Sequence, residues 1–492
     1  MEPSIWWVVR DLRLTDNAAL AAAAAGGPVL AVFVIDAATM AQGAASRWRL
    51  ERGLAALDAA WRAQTGQGLA VLRGEPDEIL PRLARTIGAR AIHASDWPCP
   101  AMRAACARLA AAPGAPPLHL HPGHLLIHPD GLRSAGSAPY RVHTPFARAL
   151  RRIGPEPPCP APARIIPAAL PETGPGGPLA RPGAPVPGLA PDLHGGAAVL
   201  ARHALPAGEA AAHARLGDFL DRAADYATGR DRLDLAAGSG LSEALALGEI
   251  GPRTVWAAVA DRLAASAIAP AGAERFLDEL CWREFAWHLM IGFPDMAARP
   301  WRAEWAGFAW REDGPGLAAW VQGRTGLALV DAGLREMRVS GRMHNRARMI
   351  VANHLCKHLL IDWRLGLAHF ADSLTDWDPA VNAMNWQWVA GCGPDAAPFF
   401  RIFNPLAQAD RFDPGHAYRR RWLAGYGGGD AAPALDYFAT LPRGWAVPRV
   451  WQAMPDASAW LLDRRRRALA AHEKLRGAER GPASGRSEDE RG

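Results

Sequence analysis

The sequence predicts a fold of two unlike parts: an α/β N-terminal domain with a Rossmann-like parallel sheet, joined by a long Pro/Gly-rich linker to an all-α domain. Three observations carry this prediction. Short apolar runs alternate with Ala/Arg-rich helical runs over residues 5–128, proline and glycine crowd residues 154–196, and strand signals almost vanish after residue 200. A chain of 492 residues is long enough for two or three domains.

The N-terminal alternation contains five candidate strands and four candidate helices, which is typical of a parallel, doubly wound sheet. The strand candidates are IWWVV, PVLAVFVID, LAVLRG, AIHAS and LHLH, which begin at residues 5, 28, 69, 91 and 118. The helix candidates fall at about 17–25, 45–64, 76–87 and 101–111. No G-x-G-x-x-G follows the first strand, so the standard dinucleotide fingerprint is absent.

Composition sets the predicted domain boundaries. Thirteen of the 42 prolines lie between Pro155 and Pro191, which favours an extended linker over a folded core. The last dozen residues, GPASGRSEDERG, have the polar composition of a disordered segment. We therefore predict the α/β domain at 1–135, the linker at 136–200, the all-helical domain at 201–475 and a disordered tail at 476–492.

Composition also indicates the cellular compartment in which the protein is found. Half of the residues are apolar and 21% are charged, which is ordinary for a globular protein. Six cysteines show no C-x-x-C pair, and no signal peptide is evident, so we expect reduced thiols and a cytoplasmic protein. The apolar stretch 18–35 is broken by Gly26-Gly27-Pro28 and therefore predicts a helix and a strand rather than a membrane span.

Charge, histidine and tryptophan content narrow the function. The net charge of +6 is a modest indication of a polyanionic partner such as nucleic acid, and the run Arg464 to Arg467 fits a solvated helix face better than a binding patch. The histidines of HLHPGHLLIH fit strand-end residues better than metal ligands, so no metal site is predicted. Twenty tryptophans raise the question of whether some serve in stacking or electron transfer.

The segment DELCWREFAWHL combines charge and indole on one helix face. Glu279, Trp282 and Arg283 follow one another at i, i+3 and i+4. A surface ion pair between Glu279 and Arg283 would explain the two charges without any functional site. The alternative is a polar site lined by all three side chains.

Two further segments also leave two interpretations open. In SGRMHNRARMIVANHLCKHLLIDW, helical spacing places Asn345, Arg348 and Met349 on one face, which indicates either a cavity lining or a solvated basic helix. In GSGLSEALALGEIGPR, the hydroxyls of Ser239 and Ser242 beside two glycines could hold a phosphate at a helix start, or the segment could be a simple capped loop.

The segment DWDPAVNAMNWQW is rich in side chains that an ordinary helix start does not need. Asp378 before Pro379 predicts a helix N-cap with proline at the first position. Asn382 and Trp386 follow on the same face, whereas Trp388 lies roughly 200° around the helix from Trp386. The two indoles therefore cannot serve one packing stripe, and we expect one to face the body of the domain and the other a cleft.

Together these segments resemble the photolyase/cryptochrome family, class I type, and are most similar to its cyclobutane pyrimidine dimer DNA photolyases. The first half carries RDLRLTDNAAL, SRWRLERGLAALD, RGEPDEILPRLA and YRVHTPFARAL; the second carries ELCWREFAWHLM, GRTGLALVDAGLREM, GRMHNRARM, LLIDWRLGLAHFAD and NWQWVAGCGPDAAPFFRIFNP. The resemblance runs from about residue 5 to 425 and implies an N-terminal antenna domain and a helical domain that binds FAD and DNA.

The resemblance implies light-driven repair of cyclobutane pyrimidine dimers in DNA, by electron transfer from excited reduced FAD. It also implies an antenna chromophore of deazaflavin, folate or flavin type, near Arg47 and Trp48, and a monomer whose partner is damaged DNA rather than a membrane. Two alternatives are a cryptochrome-like blue-light photoreceptor that binds FAD without repair, and a (6-4) photolyase. Asn345 disfavours the (6-4) photolyase, because that group has a second histidine at this position.

The resemblance also assigns residues to FAD. Positions around the phosphates and ribityl chain match Tyr226, Ser239, Leu241 and Ser242. Positions lining the flavin match Arg283, Asn345, Arg348, Asp376, Asp378 and Asn382, and Asn382 matches the residue that faces flavin N5. A carboxylate such as Asp378 can accept the flavin ring N–H.

Other matched positions concern DNA and electron transfer. The pocket for the flipped dimer matches Glu279, Trp282, Asn345, Met349 and Trp388, and phosphate contacts match Arg346 and Arg401. The electron path from the flavin to the surface matches Trp386, Trp363 and Trp310. The catalytic residues implied are these three tryptophans with Glu279 and Asn382.

Four departures from the family pattern raise expectations of their own. The phosphate loop has Gly238 and Gly240 in place of Thr and Arg, Arg342 replaces a tryptophan, and Asn385 replaces a glycine. His358 stands where the family has an Asp paired with the arginine at Arg348. We therefore expect Arg348 to lack an anionic partner.

Overall fold

The computed structural model describes residues 2–128, 131–132, 139–169, 173–174, 177–178, 188–191, 193, 196–266, 268–395, 397, 399 and 401–479. Five strands form one sheet: β1 Ser4–Val8, β2 Val29–Ile35, β3 Ala70–Arg73, β4 Ala91–Ser95 and β5 Leu118–His121. The order is β3-β2-β1-β4-β5, and every neighbouring pair is parallel. The predicted parallel α/β domain is confirmed.

Helices cover this sheet and bury its central strands. They are α1 Ala18–Gly26, α2 Ala37–Met40, α3 Ala44–Thr65, α4 Pro76–Ile87 and α5 Pro100–Ala111. Every residue of β1 and β2 is buried, which explains why both strands are continuous apolar runs rather than alternating ones. The short helix α2, which begins at the N-cap Asp36, was not predicted.

The remaining described chain is helical apart from one two-residue pair, β6 Thr173–Gly174 with β7 Gly177–Pro178. Its first helices are α6 His143–Ile153, α7 Gly196–His203, α8 Glu209–Leu220, α9 Tyr226–Gly229, α10 Ser242–Leu247, α11 Pro252–Ala264 and α12 Pro270–Gly292. There follow α13 Gly314–Val321, α14 Ala328–Ser340, α15 Asn345–Asn353, α16 Trp363–Ser373, α17 Pro379–Ala390, α18 Pro405–Phe412, α19 Ala417–Trp422, α20 Ala432–Ala439 and α21 Ala457–Glu479.

Helices fall in two of the segments that were predicted to lie outside the folded domains. Helix α6 lies inside the predicted linker 136–200, and its buried Phe146 and Leu150 belong to the same apolar cluster as residues of α12. Helix α21 extends to Glu479, four residues into the predicted disordered tail 476–492, and residues 480–492 lie outside the described residues. The domain boundaries themselves stay a prediction.

A buried ion pair joins the two parts of the chain. Arg49 of α3 donates from Nη1 and Nη2 to the two carboxylate oxygens of Glu249 at 2.7 and 2.6 Å, and its Nε lies 3.4 Å from Glu243 of α10. All three side chains are fully buried. Glu243 also accepts from the hydroxyl of Thr375 at 2.5 Å. Arg49 thus fixes the α/β domain against Glu243 and, through it, Thr375. These two residues are the immediate neighbours of Ser242 and Asp376, which line the cavity described below.

Within the described residues, no helix combines the length and apolarity needed to cross a membrane. All six cysteines are described, and all of them are free thiols.

Candidate functional site

A cavity of about 1550 Å³ opens in the helical domain, between α8, α12, α15 and α17. Most of the residues assigned from the resemblance lie on its walls. They are Tyr226, Ser239, Ser242, Glu279, Trp282, Arg283, Asn345, Arg348, Met349, Asp376, Asp378, Asn382, Trp386, Trp388 and Arg401. Residues about 180 positions apart in the sequence therefore share one chamber.

Four assigned residues do not line this cavity. Leu241 is 1% exposed and packs in the core, so only its backbone stays near the loop of Ser239. Trp363 is buried and Trp310 is half-buried, both in the core cluster that also holds Trp386. Arg346 pairs with Asp231 at 2.6 Å and lies 4.3 Å over the ring of Phe412.

Arg348 has an anionic partner, contrary to expectation. Its Nη2 lies 2.9 and 2.8 Å from the two carboxylate oxygens of Asp376. His358 lies instead in a turn of π-helix, His354–His358, where it is 3% exposed and its Nδ1 is 3.2 Å from Nδ1 of His354. The expectation was wrong because Asp376, from a different segment, supplies the charge that His358 cannot.

Asp378 has the predicted role of helix cap and one further partner. Its Oδ1 accepts from the backbone N–H groups of Ala380 and Val381, both at 3.0 Å. Its Oδ2 accepts from the indole N–H of Trp287 at 3.0 Å. Burial raises the pKa of this carboxyl. Asn382 lies one turn later, and its amide is oriented by donating to the Asp378 carbonyl at 3.0 Å.

Arg283 is held by a buried network that sequence reasoning missed. Its Nη1 donates to Glu284 Oε1 at 2.9 Å and to the His124 carbonyl at 3.0 Å, and its Nη2 lies 3.1 Å from His124 Nε2. Burial raises the pKa of Glu284 to about 7, while burial and the neighbouring guanidinium of Arg283 lower the pKa of His124. Glu284 directly follows Arg283 in the sequence, so the pair of these two residues could have been predicted. The contact with His124 could not, because His124 comes from the α/β side of the chain.

The other end of the cavity is rich in guanidinium groups and hydroxyls. Ser239 and Ser242 lie there with Arg215 and Arg342, and Gly240 has a φ of +67°. A Cβ at Gly240 would lie 3.0 Å from the Arg215 side chain, so the backbone passes very close to this arginine. Arg215 Nη1 and Arg342 Nε are buried without a hydrogen-bond partner in the described structure. This donor set fits the pyrophosphate of a dinucleotide.

Glu279 and Trp282 have partners other than those expected. Glu279 pairs with Arg230, and with Arg275 Nη2 at 2.9 Å, so the simple surface pair with Arg283 is not formed. Trp282 stacks on His143 of α6 with ring centres 3.6 Å apart and planes 2° apart. His143 was not predicted, because nothing in its local sequence points to a partner in α12.

As expected, the two indoles of α17, Trp386 and Trp388, have different surroundings. Trp386 is 2% exposed, whereas Trp388 is only partly buried and has the Arg401 guanidinium 5.8 Å from its ring centre. Trp386 packs against α16 at Gly366, where a Cβ would lie 2.2 Å from the indole. Its ring centre is also 6.3 Å from that of Trp320, a tryptophan that sequence reasoning did not select.

Arg342 and Asn385, the two remaining departures from the family pattern, both donate a hydrogen bond to a backbone carbonyl. Arg342 donates from Nη2 to the His203 carbonyl at 3.2 Å and lies 4.0 Å from Glu243. Asn385 is exposed and donates to the Val381 carbonyl one turn earlier at 2.9 Å. Neither residue closes the cavity.

Known proteins resemble the chain along most of its length. The model described as DNA photolyase matches residues 4–163, and the model described as FAD binding domain of DNA photolyase matches residues 276–432. A curated deoxyribodipyrimidine photo-lyase from Agrobacterium fabrum is 40% identical over 86% of this chain and 87% of that protein.

Solved structures share the fold. A bacterial class III photolyase from Agrobacterium tumefaciens superposes with a TM-score of 0.81 at 36% identity, covering 97% of this chain and 98% of that one. A cryptochrome from Synechocystis sp. PCC6803 superposes with a TM-score of 0.79 at 26% identity, covering 95% and 99%.

Proposed function

Because the chain belongs to the photolyase/cryptochrome family and carries its FAD-binding domain, we propose that it is an enzyme that repairs cyclobutane pyrimidine dimers in DNA by light-driven electron transfer. The observation that carries the proposal is that one cavity has both an apolar wall and a polar wall. Trp282, Met349 and Trp388 present apolar surface in the same chamber as Asp378 and Asn382. A base extruded from DNA could therefore stand beside the flavin end of the cavity.

The chain's residues would hold FAD at both ends. Asp378 and Asn382 would bond the ring edge, and Arg283 would contribute a cation whose Nε is buried without a partner in the described structure. Ser239, Ser242 and the neighbouring guanidinium groups would hold the phosphates. When bound in reduced form, FAD supplies light absorption and a one-electron donor.

The lesion pocket would bind and orient the dimer. Stacking on Trp282 and Trp388 offsets the loss of base stacking in DNA, and that loss is smallest at a damaged step. Glu279 would accept or share a hydrogen bond at the pyrimidine edge, and its position is fixed by Arg230 and Arg275. Trp386 would pass an electron inward from Trp363 and Trp310 when FAD is oxidised.

The finer substrate and class assignments are predictions from sequence. Asn345 lines the cavity at the position that favours cyclobutane dimers over (6-4) lesions. Class I membership rests on motifs, and the fold does not separate it from class III, given the solved class III relative. An antenna chromophore would be identified by mass spectrometry of the extracted holoprotein. Trp48 itself is 2% exposed with the Arg52 guanidinium 3.6 Å from its ring, so it would not stack on a chromophore.

The assay illuminates reduced holoprotein with a dimer-containing oligonucleotide and follows the ultraviolet absorbance of the restored pyrimidines. We expect a rise that requires light and FAD, and tighter binding of damaged than undamaged DNA. If FAD is bound but neither result is obtained, the photoreceptor alternative replaces this proposal.

A further inference from the structure

The C-terminal helix α21 lies beyond both segments matched by the family models, and the proposed function gives it no role. One of its faces is docked. Leu461, Ala468 and Leu475, spaced by seven residues, are 4%, 0% and 9% exposed. Trp460 and Ala471 pack against the same core cluster. A helix with such a stripe is held along its whole length rather than at one end.

The first anchor of α21 is the π-helical turn His354–His358. Trp460 has its ring centre 5.8 Å from that of His354 and 6.2 Å from that of His358. Burial lowers the pKa of His358 to about 4, which keeps the imidazole neutral against the indole. An aspartate here would place a buried carboxylate against an aromatic ring. His358 therefore belongs to the surface on which α21 packs rather than to the flavin site.

The second anchor is His472, which stacks on Phe399. Their ring centres are 4.6 Å apart with planes 19° apart, and Phe399 is 3% exposed. On its other sides Phe399 meets Trp305 at 5.3 Å and the Lys357 ammonium at 4.8 Å. Lys357 also donates to the Phe399 carbonyl at 2.8 Å. Phe399 is thus fixed through both its ring and its backbone.

Phe399 lies two residues before Arg401, which lines the cavity together with Pro394 and Asp395. The Arg401 guanidinium lies 5.8 Å from the ring centre of Trp388. Asn353 extends the same anchorage, because its Nδ2 donates to the Arg401 carbonyl at 3.2 Å and its Oδ1 accepts from the Phe403 N–H at 3.0 Å. These hydrogen bonds fix the backbone from which the Arg401 side chain extends.

We propose that α21 is a positioning element of the lesion-binding site. Through His472 it fixes Phe399, and Phe399 with Lys357 and Asn353 fixes the backbone that places Arg401 against Trp388. The proposal rests on the proposed function, because it takes this wall to be the one that receives DNA damage. His472 touches neither FAD nor substrate and acts through Phe399.

The test compares His472→Ala with His472→Phe in the full-length holoprotein. His472→Ala should raise the Kd for a dimer-containing oligonucleotide about fivefold to tenfold, in line with the loss of the stacking contact with Phe399. His472→Phe keeps a ring against Phe399 and should restore the Kd to within about twofold of wild type. The Kd for FAD and the repair yield per bound dimer should not change, because the flavin end is untouched.

Leu462→Ala is the matched control, since Leu462 is on the same helix and 56% exposed. If wild type shows no preference for dimer-containing DNA, the proposed function fails; if it shows the preference and His472→Ala retains it, only the role of α21 fails. A loss that His472→Phe does not restore would also overturn the role. Should His472→Ala not fold, Phe399→Leu keeps the burial but removes the ring stack, and unchanged dimer affinity in that variant would refute the proposal.

Discussion

At the residue scale, the cavity depends on charged side chains whose partners are fixed by the fold. Arg348 Nη2 is bonded to both carboxylate oxygens of Asp376, and Arg283 is held by its neighbour Glu284 and by the backbone of His124. Such pairs leave little freedom for the side chains that would hold FAD. Removing one member strands the charge of the other in a partly desolvated wall.

Asp376→Asn tests the first pair. The Arg348 and Asp376 side chains are 22% and 6% exposed, so we expect a loss of about 1–3 kcal/mol in the free energy of unfolding of the FAD-free protein, below the cost for a fully buried pair. Urea denaturation measures the loss. Asp295→Asn breaks an exposed pair with Arg299 and should cost less than about 1 kcal/mol. Equal losses in the two variants would contradict this account of Arg348.

Glu284 predicts a pH dependence of stability. Its pKa is raised by burial from 4.5 to about 7, so the folded protein binds a proton more tightly than the unfolded chain. The stabilising effect is complete below pH 4.5 and is lost as pH rises through about 7. Wild type should therefore lose stability relative to Glu284→Gln between these values. A difference between the two that does not vary with pH would refute the assignment.

At the element scale, sequence predicted the five strands and four helices of residues 5–128 because their signals are local. The buried strands are apolar runs, and Pro379 begins the helix expected from Asp378 and Pro379. The π-helical turn and the stack of Trp282 on His143 were not predicted, because both depend on contacts between segments far apart in the chain. Arg348 was misjudged for the same reason.

Gly366→Ala tests the contact between α16 and α17. The added Cβ would lie 2.2 Å from the Trp386 indole, so the ring must move. We expect a destabilisation of about 1–3 kcal/mol by overpacking, and slower light-driven reduction of bound oxidised FAD, followed by its visible absorbance. Gly217→Ala in α8 meets no atom within 4 Å and should be neutral or stabilising. Photoreduction at the wild-type rate in Gly366→Ala would argue against Trp386 as the inner electron carrier.

At the scale of the whole molecule, the α/β domain and the helical domain share a buried ionic contact close to the cavity. Arg49 pairs with Glu249 and also contacts Glu243, and Glu243 accepts a hydrogen bond from Thr375, which directly precedes Asp376. The sequence could not indicate this contact, since its members are separated by about two hundred residues. It ties the α/β domain to the immediate neighbours of Ser242 and Asp376, which line the cavity.

Arg49→Met should leave the buried Glu249 without its cation and Glu243 with only the Arg342 guanidinium at 4.0 Å. We expect a loss of about 3–5 kcal/mol in unfolding free energy and weaker FAD binding, measured by denaturation and by flavin fluorescence. Arg62→Met on the same helix breaks only a partly exposed i,i+4 pair with Asp58 and serves as the control. If the two variants are equally stable, the contact between the domains does not hold the cavity together.

In the proposed repair reaction, one cavity would bring FAD and a flipped pyrimidine dimer together. This is measured most directly by a single light flash on a stoichiometric complex of reduced holoprotein and dimer-containing oligonucleotide, with the ultraviolet absorbance of the restored pyrimidines recorded afterwards. We expect restoration after the flash in wild type, and a much smaller signal in Trp388→Ala with FAD still bound. No restoration in wild type, with FAD reduced and the oligonucleotide bound, would contradict it.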